Sequence, residues 1–323
     1  MKRIAIFTSG GDAPGMNAAI RAAVRTAKFH GIETYGIMNG YQGMIEGRIS
    51  KMDTGAVANI LQRGGTVLKT ARSEEFRTKD GRQTAYNNLK ELGIEGCVAI
   101  GGNGTYTGAH IFSQEHNMPF IGIPGTIDND IYGTNFSIGF DTAINTAIEA
   151  IDKIRDTADS HNRLFFIEVM GRHSGYIALY TGIGSGAGNI FLPEEENSIE
   201  HLMEQLEKSA KRNKLFNLVI VAEGNKNGGA IEIAEKVNAI NQSYDSRVTI
   251  IGHLQRGGSP TCNDRVLASR LGNSAVDALR AGKRDLAVGI MDNKIKFTPF
   301  DEAISKENTL NEELIRMAEI LAL

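Results

Sequence analysis

Pro119-Phe120-Ile121-Gly122-Ile123 runs directly into Pro124-Gly125-Thr126-Ile127-Asp128-Asn129-Asp130. The first five residues are apolar without alternation, the pattern of a parallel strand covered on both faces. A Pro-Gly break ends that run, and two carboxylates two positions apart cannot continue a buried strand inward. They are expected at its carboxyl end, where open α/β sheets hold their ligands. One acid there could take a proton and the other could hold a divalent metal. The bland alternative is a polar turn whose Asp and Asn serve only the backbone. Taken alone, the stretch favours that turn.

The same grammar recurs on the amino-terminal side. Ile4–Thr8 reads as a strand that breaks at Ser9-Gly10-Gly11-Asp12-Ala13-Pro14-Gly15, after which Met16–Ala27 reads as a helix. Exposed N–H groups and the positive end of a helix dipole would there face an anion, or the loop is simply a tight turn. The spacing is neither a Rossmann fingerprint nor a P-loop. Thr34–Met38 reads as a second strand ending in Asn39-Gly40-Tyr41, followed by Arg63-Gly64-Gly65-Thr66 and a basic stretch with Arg72, Arg77 and Arg82. Arginines beside glycine loops in a mildly acidic protein fit phosphate recognition, because the guanidinium fork matches phosphate oxygens. Thr84–Leu92 is a helix with Gly93 as its stop. Gly96–Ile100 is a strand running into Gly101-Gly102-Asn103-Gly104-Thr105, with a helix over Tyr106–Glu115. Three such loops at three strand ends point to one crevice at the edge of a parallel sheet.

The second half repeats the alternation. Helices are expected over Phe140–Thr157, Ile199–Arg212, Ala230–Ile240, Asp264–Ala281 and Leu310–Leu321. Strands are expected over Arg163–Met170, Phe216–Ala222, Val248–Ile251 and Leu286–Ile290. Such alternation implies mostly parallel sheets with covered faces. No low-complexity linker marks a boundary, so two domains would be joined by several crossings. Strand ends here carry Arg163, Met170, Arg172, Glu223, Arg247, His253 and Arg256 rather than glycine loops. Four arginines at strand ends, set against an acid-bearing loop, suggest a phosphorylated acceptor facing a nucleotide-metal site.

Composition narrows the class without deciding it. The chain has 323 residues and a formal charge of -3, which gives no overall drive toward nucleic acid or a membrane. The two cysteines, Cys97 and Cys262, cannot form a disulfide framework and suggest a reducing cytosol, with a buried thiol as the default role for each. The apolar run Ile4–Phe7 is too short for a signal peptide or a membrane span. Among the bulk figures the useful one is the 37 glycines, because they gather behind apolar runs, where close approach to phosphates requires them.

Thr8-Ser9-Gly10-Gly11-Asp12-Ala13-Pro14-Gly15-Met16-Asn17, the 124–130 stretch, Met170-Gly171-Arg172 and Gly252-His253-Leu254-Gln255-Arg256-Gly257-Gly258 together resemble the bacterial ATP-dependent 6-phosphofructokinases. The match runs from about Met1 to the last helix with little insertion. It implies an α/β fold of two doubly wound, mostly parallel sheet domains with the active site in the cleft between them. The nucleotide-binding domain would be 1–139 plus about 252–305, and the sugar-phosphate domain 140–251 plus about 306–323. The implied reaction is transfer of a phosphoryl group from MgATP to the 1-hydroxyl of fructose 6-phosphate, in a cytoplasmic homotetramer with no nucleic-acid or membrane partner.

By this resemblance Asp128 is the base that accepts the sugar hydroxyl proton, and Thr126 donates to the transferring phosphoryl group. Gly11, Arg72 and Arg172 steady the charge spread over that group. Tyr41, Arg72, Phe76, Arg77, Gly102, Asn103, Gly104, Thr105 and Gly108 match nucleotide-binding positions, with Gly11 also among them. Thr126, Asp128, Asp130, Met170, Gly171, Arg172, Glu223, His253 and Arg256 match the sugar-phosphate site. Arg163 and Arg247 match arginines that reach over from a neighbouring subunit. Asp130 and Asn103 would serve Mg²⁺. Gly104 and Gly125 favour ATP, since pyrophosphate-dependent relatives typically carry an acid and a lysine there.

Two departures from the family pattern carry consequences. Asn103 stands where the family has an aspartate that helps hold magnesium, so metal affinity should fall. A catalytically weak regulatory paralogue is the alternative this position raises, with a pyrophosphate-dependent kinase third. Arg21, Arg25, Arg155, Arg212 and Lys214 match a cationic cluster for an ADP or phosphoenolpyruvate effector. Thr54 replaces an arginine of that site and Gly188 a glutamate that binds the effector's metal, which implies weak or absent ADP activation.

Overall fold

The computed structural model describes residues 1–158, 163–196, 198–211 and 216–322, with the side chains of Thr157, Ala158, Arg163 and Phe216 also outside what is described. The chain opens with β1 (Arg3–Thr8), α1 (Met16–Phe29), β2 (Glu33–Ile37), α2 (Gly40–Ile45) and β3 (Ile49–Met52). It continues through α3 (Lys79–Glu91), β4 (Cys97–Gly101), α4 (Asn103–His116), β5 (Phe120–Pro124) and α5 (Phe140–Ala158). Then come β6 (Arg163–Val169), α6 (Tyr176–Ser185), β7 (Asn189–Phe191), α7 (Ile199–Lys211), β8 (Phe216–Ala222), α8 (Ala230–Ile240) and β9 (Ser246–Ile250). The last elements are α9 (Cys262–Arg280), β10 (Leu286–Met291), β11 (Lys294–Pro299), α10 (Phe300–Ser305) and α11 (Glu312–Leu321). They fall into two compact units, Met1–Thr142 with Arg256–Asn308, and Ala143–Gln255 with Thr309–Leu323.

The first unit holds a seven-stranded sheet in the order β11-β10-β5-β4-β1-β2-β3. Its centre is parallel, and every residue of β4 and β5 is buried, as their unbroken apolar runs require. Both edges are antiparallel. The β10–β11 hairpin turns on Asp292 and Asn293 at φ 50° and 62°, the double left-handed geometry that Asp and Asn tolerate best among residues other than glycine. That edge strand, the short β3, and helices α2, α6 and α10 are not predicted by the periodicity. The glycines of α6 (Gly182 and Gly184) hide a helix that is mostly buried. Progression outward from β1 reverses between β1 and β4, and the loops after these two strands flank that switch point.

Several boundaries move, each for a local reason. The helix expected from Tyr106 begins at Asn103, with Gly102 as its N-cap, so most of the glycine run is helical first turn. The helix expected from Thr84 begins at Lys79, where the Thr78 hydroxyl accepts the Gly81 N–H at 3.0 Å. Cys97 lies buried within β4, whereas Cys262 is exposed at the start of α9, contrary to expectation.

The second unit holds a four-stranded, fully parallel sheet in the order β7-β8-β6-β9. Leu164, Phe166, Val219 and Val221 pack one face against Leu202, Leu206, Ile233 and Val237 of α7 and α8. Arg163 opens β6 and Arg247 lies in β9 beside Phe165, so both sit at the amino ends of their strands. Met170 and Arg172 follow the other end of β6, roughly 20 Å away at the rise of an extended strand. The arginines expected at strand ends thus divide, Arg163 and Arg247 lying at amino ends and Arg172 beyond a carboxyl end.

Candidate active site

Residues 124–130 leave the carboxyl end of β5, as expected, and the turn they make is built rather than incidental. Asn129 is 1% exposed and left-handed at φ 54°. Its Oδ1 accepts the Ser137 N–H at 2.7 Å, its Nδ2 donates to the Asn135 carbonyl at 3.0 Å, and its own carbonyl accepts from Asn308 Nδ2 at 3.1 Å. Ser137 Oγ donates to the Thr126 carbonyl at 2.7 Å, and the Ile138 N–H donates to the Pro124 carbonyl at 2.9 Å. Residues 137–138 are thus tied to 124–126, with Ile138 and Gly125 forming a single parallel bridge. With Asn129 held, Asp128 is 5% exposed and its N–H donates to Thr126 Oγ1 at 3.3 Å. Asn129, Ser137 and Asn308 are absent from the sequence expectations. The readable signal is an Asn between two acids, the residue that most easily takes a left-handed backbone.

The loops after β1 and β4 meet at the switch point. The Ser9 N–H donates to the Ile100 carbonyl at 3.0 Å, and a Cβ on Gly101 would stand 2.3 Å from Thr105 Oγ1 and 2.4 Å from the Ser9 carbonyl. Only glycine lets these backbones approach so closely. Gly104 differs, because a Cβ there would meet nothing within 4 Å. Its missing side chain leaves open space at the amino end of α4, where the helix dipole is positive. Gly11 faces a guanidinium: Arg256 Nη1 would lie 2.7 Å from a Cβ at Gly11, and it donates to the Asp12 carbonyl at 3.3 Å. Arg256 is thereby brought to the β1 glycine loop. The 63–69 loop joins them through Asn17, whose amide donates to the Arg63 carbonyl at 3.0 Å and accepts the Val67 N–H at 2.7 Å.

Tyr41 and Phe76 prove to be core residues, 6% and 5% exposed, with rings stacked at 4.0 Å. The Tyr41 hydroxyl donates to the Thr105 carbonyl at 2.5 Å, and a Cβ on Gly108 would strike the Tyr41 ring at 2.8 Å. These four positions form one cluster that sets the first turn of α4. Arg72 and Arg77 are exposed, the latter beside Glu74 at 3.4 Å. Arg82 is a correction to the basic-stretch reading. It is buried in a two-pronged pair with Glu115 at 2.6 and 2.7 Å, and it donates to the carbonyls of Phe76 and Arg77. With those donors committed, Arg82 fastens the Glu75–Arg77 turn instead of facing a phosphate. The same hydrogen bonds hold the Glu115 carboxyl below its usual range.

Asn103 Nδ2 donates to Asp130 Oδ2 at 3.2 Å. Asn103 Oδ1 is buried without a hydrogen-bond partner among the described residues. An orphaned oxygen beside a carboxylate, at a helix start that would face phosphates, fits a hard cation. Among the described residues no group of three or more His, Cys, Asp or Glu could hold a metal, so any ion here would complete its shell from phosphate oxygens and water.

In the second unit Glu223 organises the loop after β6. Its Oε1 accepts the Arg172 N–H at 2.7 Å and the Gly171 N–H at 3.2 Å. Arg172 is left-handed at φ 54°, and Gly224 passes so close that a Cβ would sit 1.7 Å from the Arg172 carbonyl. The Arg172 side chain and His253 are exposed, while Met170 is buried with its N–H held by Gln255 Oε1 at 2.8 Å. Gln255, wholly buried, is a positioning group that the sequence offers only as a neighbour of His253 and Arg256. Arg247 pairs with Asp245 at 2.8 Å. Of the effector cluster, Arg21 and Arg25 lie on α1 and Arg155 on α5, while Arg212 and Lys214 lie outside the described residues.

Comparison with known proteins bears on the whole chain. The Phosphofructokinase family pattern matches residues 3–279. The chain is 54% identical over all 323 of its residues to the ATP-dependent 6-phosphofructokinase 1 of Thermus thermophilus, covering 100% of both. It is 52% identical to the ATP-dependent 6-phosphofructokinase of Cytophaga hutchinsonii, covering 99% of this chain and 98% of that one. Among solved structures, phosphofructokinase from Saccharomyces cerevisiae superposes with a TM-score of 0.89 at 37% identity over 94% of this chain, which spans 45% of the yeast chain. On these grounds, and with the motifs standing at the strand ends just described, the chain belongs to the phosphofructokinase family.

Proposed function

We propose that this protein transfers the γ-phosphoryl group of ATP to the 1-hydroxyl of fructose 6-phosphate, giving fructose 1,6-bisphosphate and ADP in glycolysis. The observation that carries the reading is the buried Asp128, held beside Thr126 and the Asn103–Asp130 pair at the carboxyl end of β5. Identity of 50% or more along the full length of proteins named for this activity supports it.

Asp128 takes the proton from the sugar O1 as the O1–P bond forms and the bond to the β-phosphate oxygen breaks, ADP leaving with that electron pair. Burial of the carboxylate keeps water from competing for that proton. Thr126 Oγ1 lies at hydrogen-bonding distance from the Asp128 backbone, which aims it at the same reacting centre. The Gly11 N–H, Arg72 and Arg172 steady the charge on the phosphoryl oxygens. The amino end of α4, with Gly102, Gly104 and Thr105, receives the nucleotide phosphates. Met170, Glu223, His253 and Arg256 hold the sugar phosphate. Magnesium, held by Asn103 Oδ1 and Asp130, would screen the phosphate charge.

Arg163 and Arg247 lie at the opposite strand ends from Arg172, and this supports their service to a neighbouring subunit. The working enzyme is on this reading a homotetramer in the cytoplasm. Open space at Gly104 supports ATP over pyrophosphate. The test is purified protein with fructose 6-phosphate and Mg²⁺, given ATP or pyrophosphate, with fructose 1,6-bisphosphate measured. Product with ATP alone is expected. Product with pyrophosphate alone, or none with either donor while ligands still bind, would overturn the reading.

A further inference from the structure

Asp264 lies in the first turn of α9, wholly buried, and ordinary helix capping does not account for it. Its Oδ1 accepts the Gly139 N–H at 2.8 Å, across 125 residues of sequence. Its Oδ2 accepts the Thr142 N–H at 2.8 Å and the Thr142 hydroxyl at 2.5 Å. Thr142 Oγ1 in turn accepts the Thr261 N–H at 3.0 Å, and Thr261 Oγ1 donates to Asp141 at 2.5 Å. One carboxylate therefore satisfies the unpaired N–H groups at the start of a different helix, α5.

The segment so gripped is the one that shapes the 124–130 loop. A Cβ on Gly139 would stand 2.6 Å from Ala13 Cβ and 3.3 Å from Ile127 Cγ2, so this backbone is wedged between the β1 loop and the acid-bearing loop. One residue earlier, Ile138 pairs with Pro124 and Gly125, and before it Ser137 binds both Asn129 and the Thr126 carbonyl. On the other side a Cβ on Gly15 would touch Ile138 at 2.6 Å and Asp264 Cβ at 3.5 Å. The connected path is Asp264, Gly139, Ser137, then Asn129 and Thr126.

We propose that Asp264 is a positioning residue for phosphoryl transfer, holding residues 137–142 so that they clamp the 126–130 loop in its working conformation. The proposal rests on the reading of that loop as the seat of the chemistry. An asparagine at 264 keeps the shape but turns an N–H pair toward backbone donors, which breaks the grip at one end. A displacement of about 1 Å in a reacting group costs on the order of 100-fold in rate, whereas ground-state binding tolerates it.

The experiment compares wild type, Asp264→Asn and Ser137→Ala by steady-state kinetics and by amide hydrogen exchange resolved to peptides. In Asp264→Asn, exchange across 126–139 should quicken by about tenfold or more, with β1 and β4 unchanged. The kcat should fall about 10- to 100-fold while KM for ATP stays within about threefold. Ser137→Ala, which cuts the path next to the loop, should lower kcat likewise and leave exchange in α9 at the wild-type rate. If Asp264→Asn does not fold, Ser137→Ala decides. Wild-type kcat in Ser137→Ala, or unaltered exchange over 126–139 in a folded Asp264→Asn, overturns the proposal. A wild type that turns over no ATP sinks the proposed reaction instead, and the exchange comparison still judges the role of Asp264.

Discussion

The Asn103 amide donates to the Asp130 carboxylate at 3.2 Å, so the residue at the start of α4 and the last acid of the 124–130 loop hold each other directly. Two carboxylates at these positions would repel unless a cation lay between them. The amide gives the pair internal cohesion without metal and offers one neutral oxygen to an ion. Asn103→Asp should therefore lower the Mg²⁺ concentration for half-maximal rate by about fivefold, on the order of 1 kcal/mol for one added charge. It should also make the melting temperature more dependent on Mg²⁺ than in wild type. Equal magnesium curves for rate in the two proteins would contradict this account of the pair.

Asp128 is buried and is the proposed base, so an isosteric replacement should act chiefly on the rate. Asp128→Asn is expected to reduce kcat by about 10²- to 10⁴-fold with little change in either KM. Its melting temperature should stay close to that of wild type, because the amide keeps the shape of the side chain. A variant that keeps more than a tenth of wild-type kcat would remove Asp128 from the role of base.

Gly104 tests the donor. A Cβ there would meet no described atom within 4 Å, so Gly104→Asp should fold as wild type does. Its charge would face the nucleotide phosphates and should raise KM for ATP about tenfold, while KM for fructose 6-phosphate stays near its starting value. Initial-rate measurements with each substrate varied in turn separate the two.

Glu223 should matter to the sugar phosphate alone. Glu223→Ala releases the N–H groups of Gly171 and Arg172, and charge-assisted bonds of this kind are worth about 1.5–3 kcal/mol each. KM for fructose 6-phosphate is expected to rise by about tenfold or more, with KM for ATP altered less than about twofold. A proportionate rise in both would show that the loop after β6 does not distinguish the substrates.

Burial raises the Asp264 carboxyl from an ordinary value of 3.8 to about 6, against the pull of the hydrogen bonds from Thr142 and Gly139 that favour its ionised form. Asp141 on the neighbouring helix adds to the rise. Because the folded chain binds this proton more tightly than the unfolded chain, the stabilisation is complete below pH 3.8 and is lost as pH rises through about 6. The shift corresponds to about 3 kcal/mol. Subtracting the unfolding free energy of Asp264→Asn from that of wild type at each pH should expose a fall of this sign between pH 4 and 7. A flat difference would show that the carboxylate is no costlier folded than unfolded.

Chain order alone determined much of this protein. The uninterrupted apolar runs of β4 and β5 could only be buried parallel strands, and the acids behind Pro124-Gly125 could only emerge at a carboxyl end. The glycine runs after β1 and β4 were legible for the same reason, since a residue without a side chain repeated behind a strand signals close backbone approach. Edge strand β11 and helix α6 were not legible, because a mixed polar strand and a glycine-bearing helix lack clean periodicity. Arg82 shows a further limit: a cation near glycine loops reads as a phosphate ligand until the fold brings Glu115 to it. The tertiary structure alone decided which polar residues meet. Asn129, Ser137, Gln255 and Asp264 bond to partners from 6 to 179 residues distant. No local pattern encodes a bond whose two ends meet only after the chain has folded.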